Sequence, residues 1–290
     1  MSGTSLLAVL GAINVDLVVS GAPLPGPGGT VVGGVFAEHQ GGKGGNQAVA
    51  AARALGDAGR VAMIGAVGDD AFGAEARAAL AADGVDVTYV ATAAGTATGV
   101  ALIAVDEAGE NQISVAPGAN ATVDAGRVTS ALDASTPNVV LASLEIPADA
   151  VRAAAEWCRV HEVPFVLNPA PAGEEATGLA RLATYVTPNE TERAALADLP
   201  EAITMIETRG AEGVRIHRGG AIEHVAAPQV EPVDTTGAGD CFNGVFAAGL
   251  LERLELLDAV GNAVVAAARS TTIEGAREGM PARDDLTRGD

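Results

Sequence analysis

The chain has 290 residues, 48% of them hydrophobic, with 37 glycines and only 3% aromatic residues. This suffices for one large core of Ala, Val, Leu and Ile plus a small appendage. The formal net charge of −20 disfavours nucleic acid or an anionic membrane as partner, so an anionic ligand would need local cations such as Lys43.

Residues 6–13 form an apolar run typical of a buried parallel strand and stop at Asn14-Val15-Asp16. Residues 17–38 are rich in Gly and Pro and alternate weakly through Thr30, Val32 and Val35, which predicts short strands of a small sheet. Gly41-Gly42-Lys43-Gly44-Gly45-Asn46 then opens a helix over 47–55. A strand over 61–67 ends at Gly68-Asp69-Asp70, and a helix over 72–82 follows. Segments 96–105 and 111–115 read as a hairpin around residues 106–109. Strands at 139–144 and 164–167 flank a helix over 148–160, and shorter strands follow at 184–187 and 203–207. Helices over 240–253 and 257–270 complete the pattern.

Strands alternating with helices imply an α/β fold: a three-layer, doubly wound, mainly parallel sheet with helices on both faces. Two β-rich stretches, 14–41 and 93–116, break the alternation. They are expected to pair as a small β-sheet lid over a core made of 1–13, 42–92 and 117–290. Cys158 and Cys241 form no CxxC motif and suggest a reducing cytoplasm, while the four scattered histidines suggest no metal cluster. No apolar run is long enough to cross a bilayer, and the first residues lack the basic start of a signal peptide.

Polar residues recur where predicted strands end, which fits a cleft along the carboxyl edge of one sheet. Asn14 and Asp16 can accept from and donate to a diol, although Asp16 could also cap a turn. Glu145 and Asn168 follow two further strands. Asn189, Glu190 and Glu192 follow another, where such oxygens could organise Mg²⁺ beside a nucleotide or simply begin a helix. The 41–46 loop is not a Walker A motif, because Ala37 and Gly44 stand where that motif needs Gly and Ser/Thr. Its glycines would let backbone approach a ligand while Lys43 and Asn46 donate to hydroxyls. Most informative is Asp234-Thr235-Thr236-Gly237-Ala238-Gly239-Asp240, which leads into a helical spacing of Phe242, Val245, Phe246 and Leu250. Glycines that gather N–H groups at a helix start, with a carboxylate beside them, suit phosphoryl transfer to a hydroxyl. The simpler alternative is a turn with Asp240 as helix cap. Cys241 reads as a small packed residue, not a nucleophile.

These motifs, in this order, resemble the ribokinase-like (PfkB) carbohydrate kinases nearly end to end. The resemblance rests on Gly11 to Asp16, Gly41 to Ala48, Gly109-Glu110-Asn111 with Ala116 to Asn120, Leu144-Glu145, Asn168 to Ala172, Thr187 to Glu192 and Asp234 to Gly244. It implies an ATP-dependent carbohydrate kinase, with D-ribose converted to D-ribose 5-phosphate as the leading activity. The alternatives are a kinase for deoxyribose, another sugar or a nucleoside, or a catalytically weak sugar or nucleotide sensor. A dinucleotide-dependent dehydrogenase is disfavoured, since no GxGxxG follows the first strand.

The resemblance also implies roles. Asp240 would be the base, with Gly237, Ala238 and Gly239 as anion hole. Asn14, Asp16, Gly42, Lys43, Asn46 and Glu145 would hold the sugar together with Asp240. Asn189, Thr208, Arg209, Gly210, Ala211, Glu212 and Gly213, with Gly239, would line the ATP site, and Glu190 would lie near Mg²⁺. Asp234, Thr236, Ser270, Ile273, Gly275 and Gly279 would surround an activating K⁺. Relatives of this kind pair their lids into a homodimer. The chain departs from the family pattern in a shortened 189–210 stretch, in Arg209, in Val264 beside the adenine position, in Ile273-Glu274, and in Gly279 where relatives carry Ser.

Overall fold

In the computed structural model, which describes residues 5–287, the first apolar run forms β1 (Leu6–Leu10). There follow β2 (Asn14–Ser20), β3 (Val35–Gly41), α1 (Lys43–Leu55), β4 (Arg60–Gly68), α2 (Ala71–Ala82), β5 (Val85–Asp86), β6 (Val90–Ala93), β7 (Gly99–Val105) and β8 (Asn111–Ala116). The middle of the chain gives α3 (Ala125–Ser135), β9 (Val139–Ser143), α4 (Ala148–His161), β10 (Phe165–Asn168), α5 (Ala176–Ala180), β11 (Tyr185–Val186) and α6 (Glu190–Ala195). The last part gives β12 (Thr204–Thr208), β13 (Val214–Arg218), β14 (Ala221–Val225), α7 (Ala238–Leu251), α8 (Leu256–Ser270) and α9 (Arg283–Thr287).

The large sheet runs β14-β13-β12-β11-β10-β9-β1-β4-β5, with β6 also on β4. It is parallel from β12 to β5, and β13 and β14 add an antiparallel edge. β1 is apolar throughout because it is covered on both faces. Leu7 and Val9 join Val49, Phe246 and Val260 on the side of α1, α7 and α8. Ala8 and Leu10 join Leu132, Val151 and Trp157 on the side of α3 and α4. The chain leaves β1 for β4 on one side and later fills β9 on the other. The strand order therefore reverses at β1, and ligand crevices open at the carboxyl ends beside such a reversal.

The second sheet, β3-β2-β7-β8, starts at that crevice. Asn14 opposes Gly41 on β3 and Gly99 on β7, and Asp16 opposes His39 and Ala101. Paired residues share a face, so the face that carries Asp16 also carries Ile103, Ile113 and Val115.

Several expectations are corrected. α1 begins at Lys43, not at 47, because Gly44 and Gly45 are helical and serve close packing. A Cβ on Gly44 would stand 2.6 Å from the Gly11 carbonyl carbon. Residue 93 ends β6 in the large sheet, so the second lid segment begins later, with β7 at Gly99. Thr30 and Val32 form no strand, and Val32 is 95% exposed, so its place in a period of two was accidental. α3 and the β13–β14 hairpin were not anticipated. For α3 a signal existed: Asp124 caps Arg127 N–H, and Val128, Ala131 and Leu132 are buried at helical spacing.

Candidate active site

α1 and α7 pack closely because Gly244 has no side chain. A Cβ there would lie 2.5 Å from the Gln47 carbonyl oxygen and 2.7 Å from Ala50 Cβ. This approach brings two amides of α1 onto Asp240 in the first turn of α7. Asn46 Nδ2 donates to Asp240 Oδ2 at 3.0 Å, and Gln47 Nε2 donates to Oδ1 at 3.0 Å. Gln47 Nε2 also reaches Asn168 Oδ1 at 3.1 Å, and Asn168 Nδ2 donates to the Thr187 carbonyl at 3.1 Å. The buried carboxylate is therefore oriented by donors from α1, of which Gln47 is itself tied through Asn168 to the ends of β10 and β11. Each of its oxygens retains lone-pair capacity for a hydroxyl proton.

The start of α7 is open. Gly237 sits at φ +75°, where its Cβ would meet the Ala276 carbonyl oxygen at 2.7 Å, and no side chain caps the helix. Ala238 N–H turns back to Thr235 O at 3.3 Å and Cys241 N–H to Gly237 O at 2.8 Å. The amides of Gly239 and Asp240 between them have no backbone partner, as expected of a helix's first turn. A Cβ on Gly239 would meet nothing within 4 Å, so this end faces open space. Unpaired N–H groups at the positive end of a helix form a ready anion site.

On the β1 side, Gly42 at φ +81° lets the chain pass within a Cβ's 2.6 Å of Ala12 O, and Glu145 Oε2 accepts Lys43 N–H at 2.8 Å in place of a cap. Asn14 Oδ1 accepts from Asn120 Nδ2 at 2.8 Å, and Asn120 is pinned on both sides of Ile13. That leaves the Asn14 amide protons for a ligand. Asp16 lies against Gly41, where a Cβ would fall 2.3 Å from its oxygens, and its carboxylate accepts no hydrogen bond among the described residues. Burial raises the pKa of both Asp16 and Glu145 above the ordinary carboxylate value, against the pull of Arg277 and Lys43 respectively. Burial likewise raises Glu192. Asp240 beside Lys43 favours its ammonium and raises its pKa, with help from Glu145 and Glu192. Burial lowers Arg277 to about 10. Asp16, Glu145, Glu192 and Asp240 thus face two cations, Lys43 and Arg277. A neutral polyol fits this balance better than an acidic or phosphorylated sugar.

Beyond α7 lies a cavity of about 260 Å³. Its walls include Thr208, Gly210, Ala211, Gly213 and Gly239, all of them candidate nucleotide residues, together with Phe242 and Val264. The other expected nucleotide residues are placed elsewhere. Arg209 is held by Glu190 at 2.9 Å, Glu207 at 2.7 Å and Glu212 at 2.9 Å, so neither Arg209 nor Glu212 lines the cavity. Asn189 forms a capping box with Glu192, its Oδ1 accepting Glu192 N–H at 2.8 Å. Glu190 turns to Arg209, and Glu192 is instead the acid that feels Lys43 and Asp240.

Asp234 accepts Thr236 N–H at 2.9 Å and Gly275 N–H at 2.9 Å, which joins the turn before α7 to the loop after α8. In that loop a Cβ on Gly279 would meet Ser270 O at 2.2 Å, so a larger residue would displace this carbonyl. Ile273 is half-exposed and offers only backbone.

Comparison with known proteins settles the family. The model for "pfkB family carbohydrate kinase" matches residues 4–283. The chain belongs to the pfkB family of carbohydrate kinases. It is 39% identical to a ribokinase of Bacillus subtilis, covering 97% of both chains, and 38% identical to one of Haemophilus influenzae, covering 96% of both. The structure of Arabidopsis thaliana ribokinase complexed with ribose and ATP superimposes with a TM-score of 0.85 at 25% identity, covering 99% of both chains. Three residues given no role in the sequence reading also lie at the polar cleft. Gln47 and Asn120 fall within the motif segments, whereas Arg277 had no signal.

Proposed function

We propose that this kinase transfers the γ-phosphate of ATP to the 5-hydroxyl of D-ribose. The observation that carries the reading is the position of Asp240. It lies between the polar cleft of Asn14, Asp16, Lys43 and Asn46 and the open start of α7, beside the apolar cavity. In this reading Asp240 takes the hydroxyl proton as the phosphoryl group transfers, while the Gly239 and Asp240 amides stabilise the equatorial oxygens. Asn14, Asp16 and Lys43 hold the ribose hydroxyls, and Glu145 keeps Lys43 in place. Phe242 and Val264 offer the base an apolar wall.

The donor set suits Mg²⁺ carried on the nucleotide, since among the described residues no group of three His, Cys, Asp or Glu side chains could cage a metal. Glu192, whose charge acts with Lys43 and Asp240 while Asn189 donates to both its oxygens, is the residue to hold its waters. Asp234 and the carbonyls of loop 270–279 offer a single negative charge and several oxygens, which suits K⁺ and would fix the loop that gathers the amides. Potassium is then expected to raise kcat over sodium at equal ionic strength, and Asp234→Ala to abolish the difference. A flat titration in wild type removes the cation site.

The small sheet acts as a lid. Its Asp16 face leaves Ile113 and Val115 each 56% exposed, and a second copy of the chain would cover them, giving a homodimer. No helix among the described residues is long and apolar enough to cross a membrane, and a cytoplasmic enzyme is the consistent reading.

A coupled ADP-release assay over pentoses, hexoses and nucleosides tests the substrate. D-ribose is expected to exceed 2-deoxyribose in kcat/KM by about tenfold or more, because a missing hydroxyl leaves buried polar groups unpaired. Equal values move the assignment to a broader pentose or deoxyribose kinase.

A further inference from the structure

Arg277 sits where the two halves of the site meet, and none of the roles above requires it. Its buried guanidinium donates through Nε to Asn46 Oδ1 at 2.8 Å and through Nη2 to the Gly41 carbonyl at 3.1 Å. The other end of Asn46 donates to Asp240. Gly41 is the residue against which the Asp16 carboxylate rests. One side chain therefore holds the amide that orients Asp240 and the backbone behind Asp16.

The chemistry of an amide makes this contact directional. Asn presents an acceptor on one side and two donors on the other, in nearly the same shape. An arginine can only donate, so Asn46 must turn its oxygen to Arg277 and its NH₂ to Asp240. Without Arg277 the amide could flip and set its oxygen against the carboxylate.

The surroundings are shaped to hold the guanidinium. A Cβ on Gly45 would lie 2.4 Å from Nη2. Arg53, paired with Asp83 at 2.7 Å, donates to the carbonyls of Arg277 and Met280. Glu278 accepts Arg277 N–H at 3.0 Å. Nη1 nevertheless stays buried with no acceptor, so the fold forgoes a hydrogen bond to keep the group there.

We propose that Arg277 is a positioning residue for phosphoryl transfer, which locks the Asn46 amide so that Asp240 faces the sugar hydroxyl in a single orientation. The proposal rests on Asp240 being the base. Arg277→Met keeps the stem and removes the donors. It is expected to lower kcat by about 10- to 100-fold, the scale of a misplaced general base, with KM for ATP within about twofold of wild type. Gly45→Ala, which pushes on Nη2, is expected to lower kcat in the same direction. In the Arg277→Met background the same substitution should cost little more, because the two act through one contact. Arg277→Lys keeps the charge but cannot span both acceptors, and it carries the test if Arg277→Met does not fold.

A folded Arg277→Met with near wild-type kcat overturns the proposal. So do additive losses from the two sites, or a loss confined to KM. Asp240→Asn measured in the same assay separates the two ideas. If that variant keeps its turnover, the base assignment falls and the positioning role falls with it. If it loses turnover while Arg277→Met does not, only the positioning role falls.

Discussion

Asp240→Asn is expected to reduce kcat by about 10²-fold or more, the usual worth of a positioned base, while ribose affinity changes only a few-fold. The substitution keeps the shape of the side chain and removes the proton acceptor. It has a structural cost as well. Asn46 and Gln47 each donate to one oxygen of Asp240, and an amide at 240 must turn its own NH₂ toward one of them. A buried donor facing a donor costs roughly 1–3 kcal/mol, so the thermal midpoint should fall even though turnover is the main readout. Steady-state kinetics with calorimetric ribose binding separates the two effects. Near wild-type turnover would sink the assignment of Asp240.

Asp16→Asn is expected to act in opposite directions on function and stability. Losing a charged acceptor for the ribose hydroxyls should lower kcat/KM by about 10- to 10²-fold, the equivalent of roughly 1.5–3 kcal/mol. Free of ligand, the variant should be more stable than wild type at pH 7. Burial raises the pKa of Asp16 in the folded chain, so the ionised form is held at a cost. That cost is absent below the unfolded pKa of about 3.9, grows as pH rises through the raised folded value, and stays constant above it. The gain in thermal midpoint should therefore be present at pH 7 and vanish near pH 4. A lower midpoint at pH 7, or unchanged use of ribose, contradicts the role given to this residue. Such trades between stability and activity are common where a site holds unpaired charge.

The parts of the fold that could be read from the sequence were those with a strong period or a sharp punctuation. β1, β4 and β9 are continuous apolar runs because helices cover both sides, and each ends at a polar residue or a glycine. α7 announced itself through Gly237 and the spacing of Phe242, Val245 and Phe246. The β13–β14 hairpin escaped because its outer strand is exposed and carries no alternation, and Val214 and Ile216 alone mark its buried side. α1 was cut short because two glycines count against a helix by propensity, whereas here they permit contact with Gly11 and Arg277. In the site, Asp240, Asn46, Lys43 and Asp16 were legible because they sit in dense motifs. Arg277 was not, since a lone arginine in a loop carries no local sign that it will meet α1 more than 200 residues earlier. The ion pairs of Arg209, Glu190 and Glu212 were not legible for a related reason. Arg209 pairs locally with Glu212, three residues on, but its pair with Glu190 arises from tertiary proximity, and sequence reasoning sees only their nearness to a nucleotide motif.

The union of α1 with the segment around Arg277 bears on how the enzyme is made. Asn46 is synthesised early and Asp240 late, and the guanidinium that fixes one against the other comes later still. A ribosome must release residue 277 before the cleft has all its walls. Partial translation products and chains clipped upstream of that point would hold much of the large sheet yet carry no finished site. They would lack the contact that turns the Asn46 amide toward Asp240, so residues made late complete a site that residues made early begin.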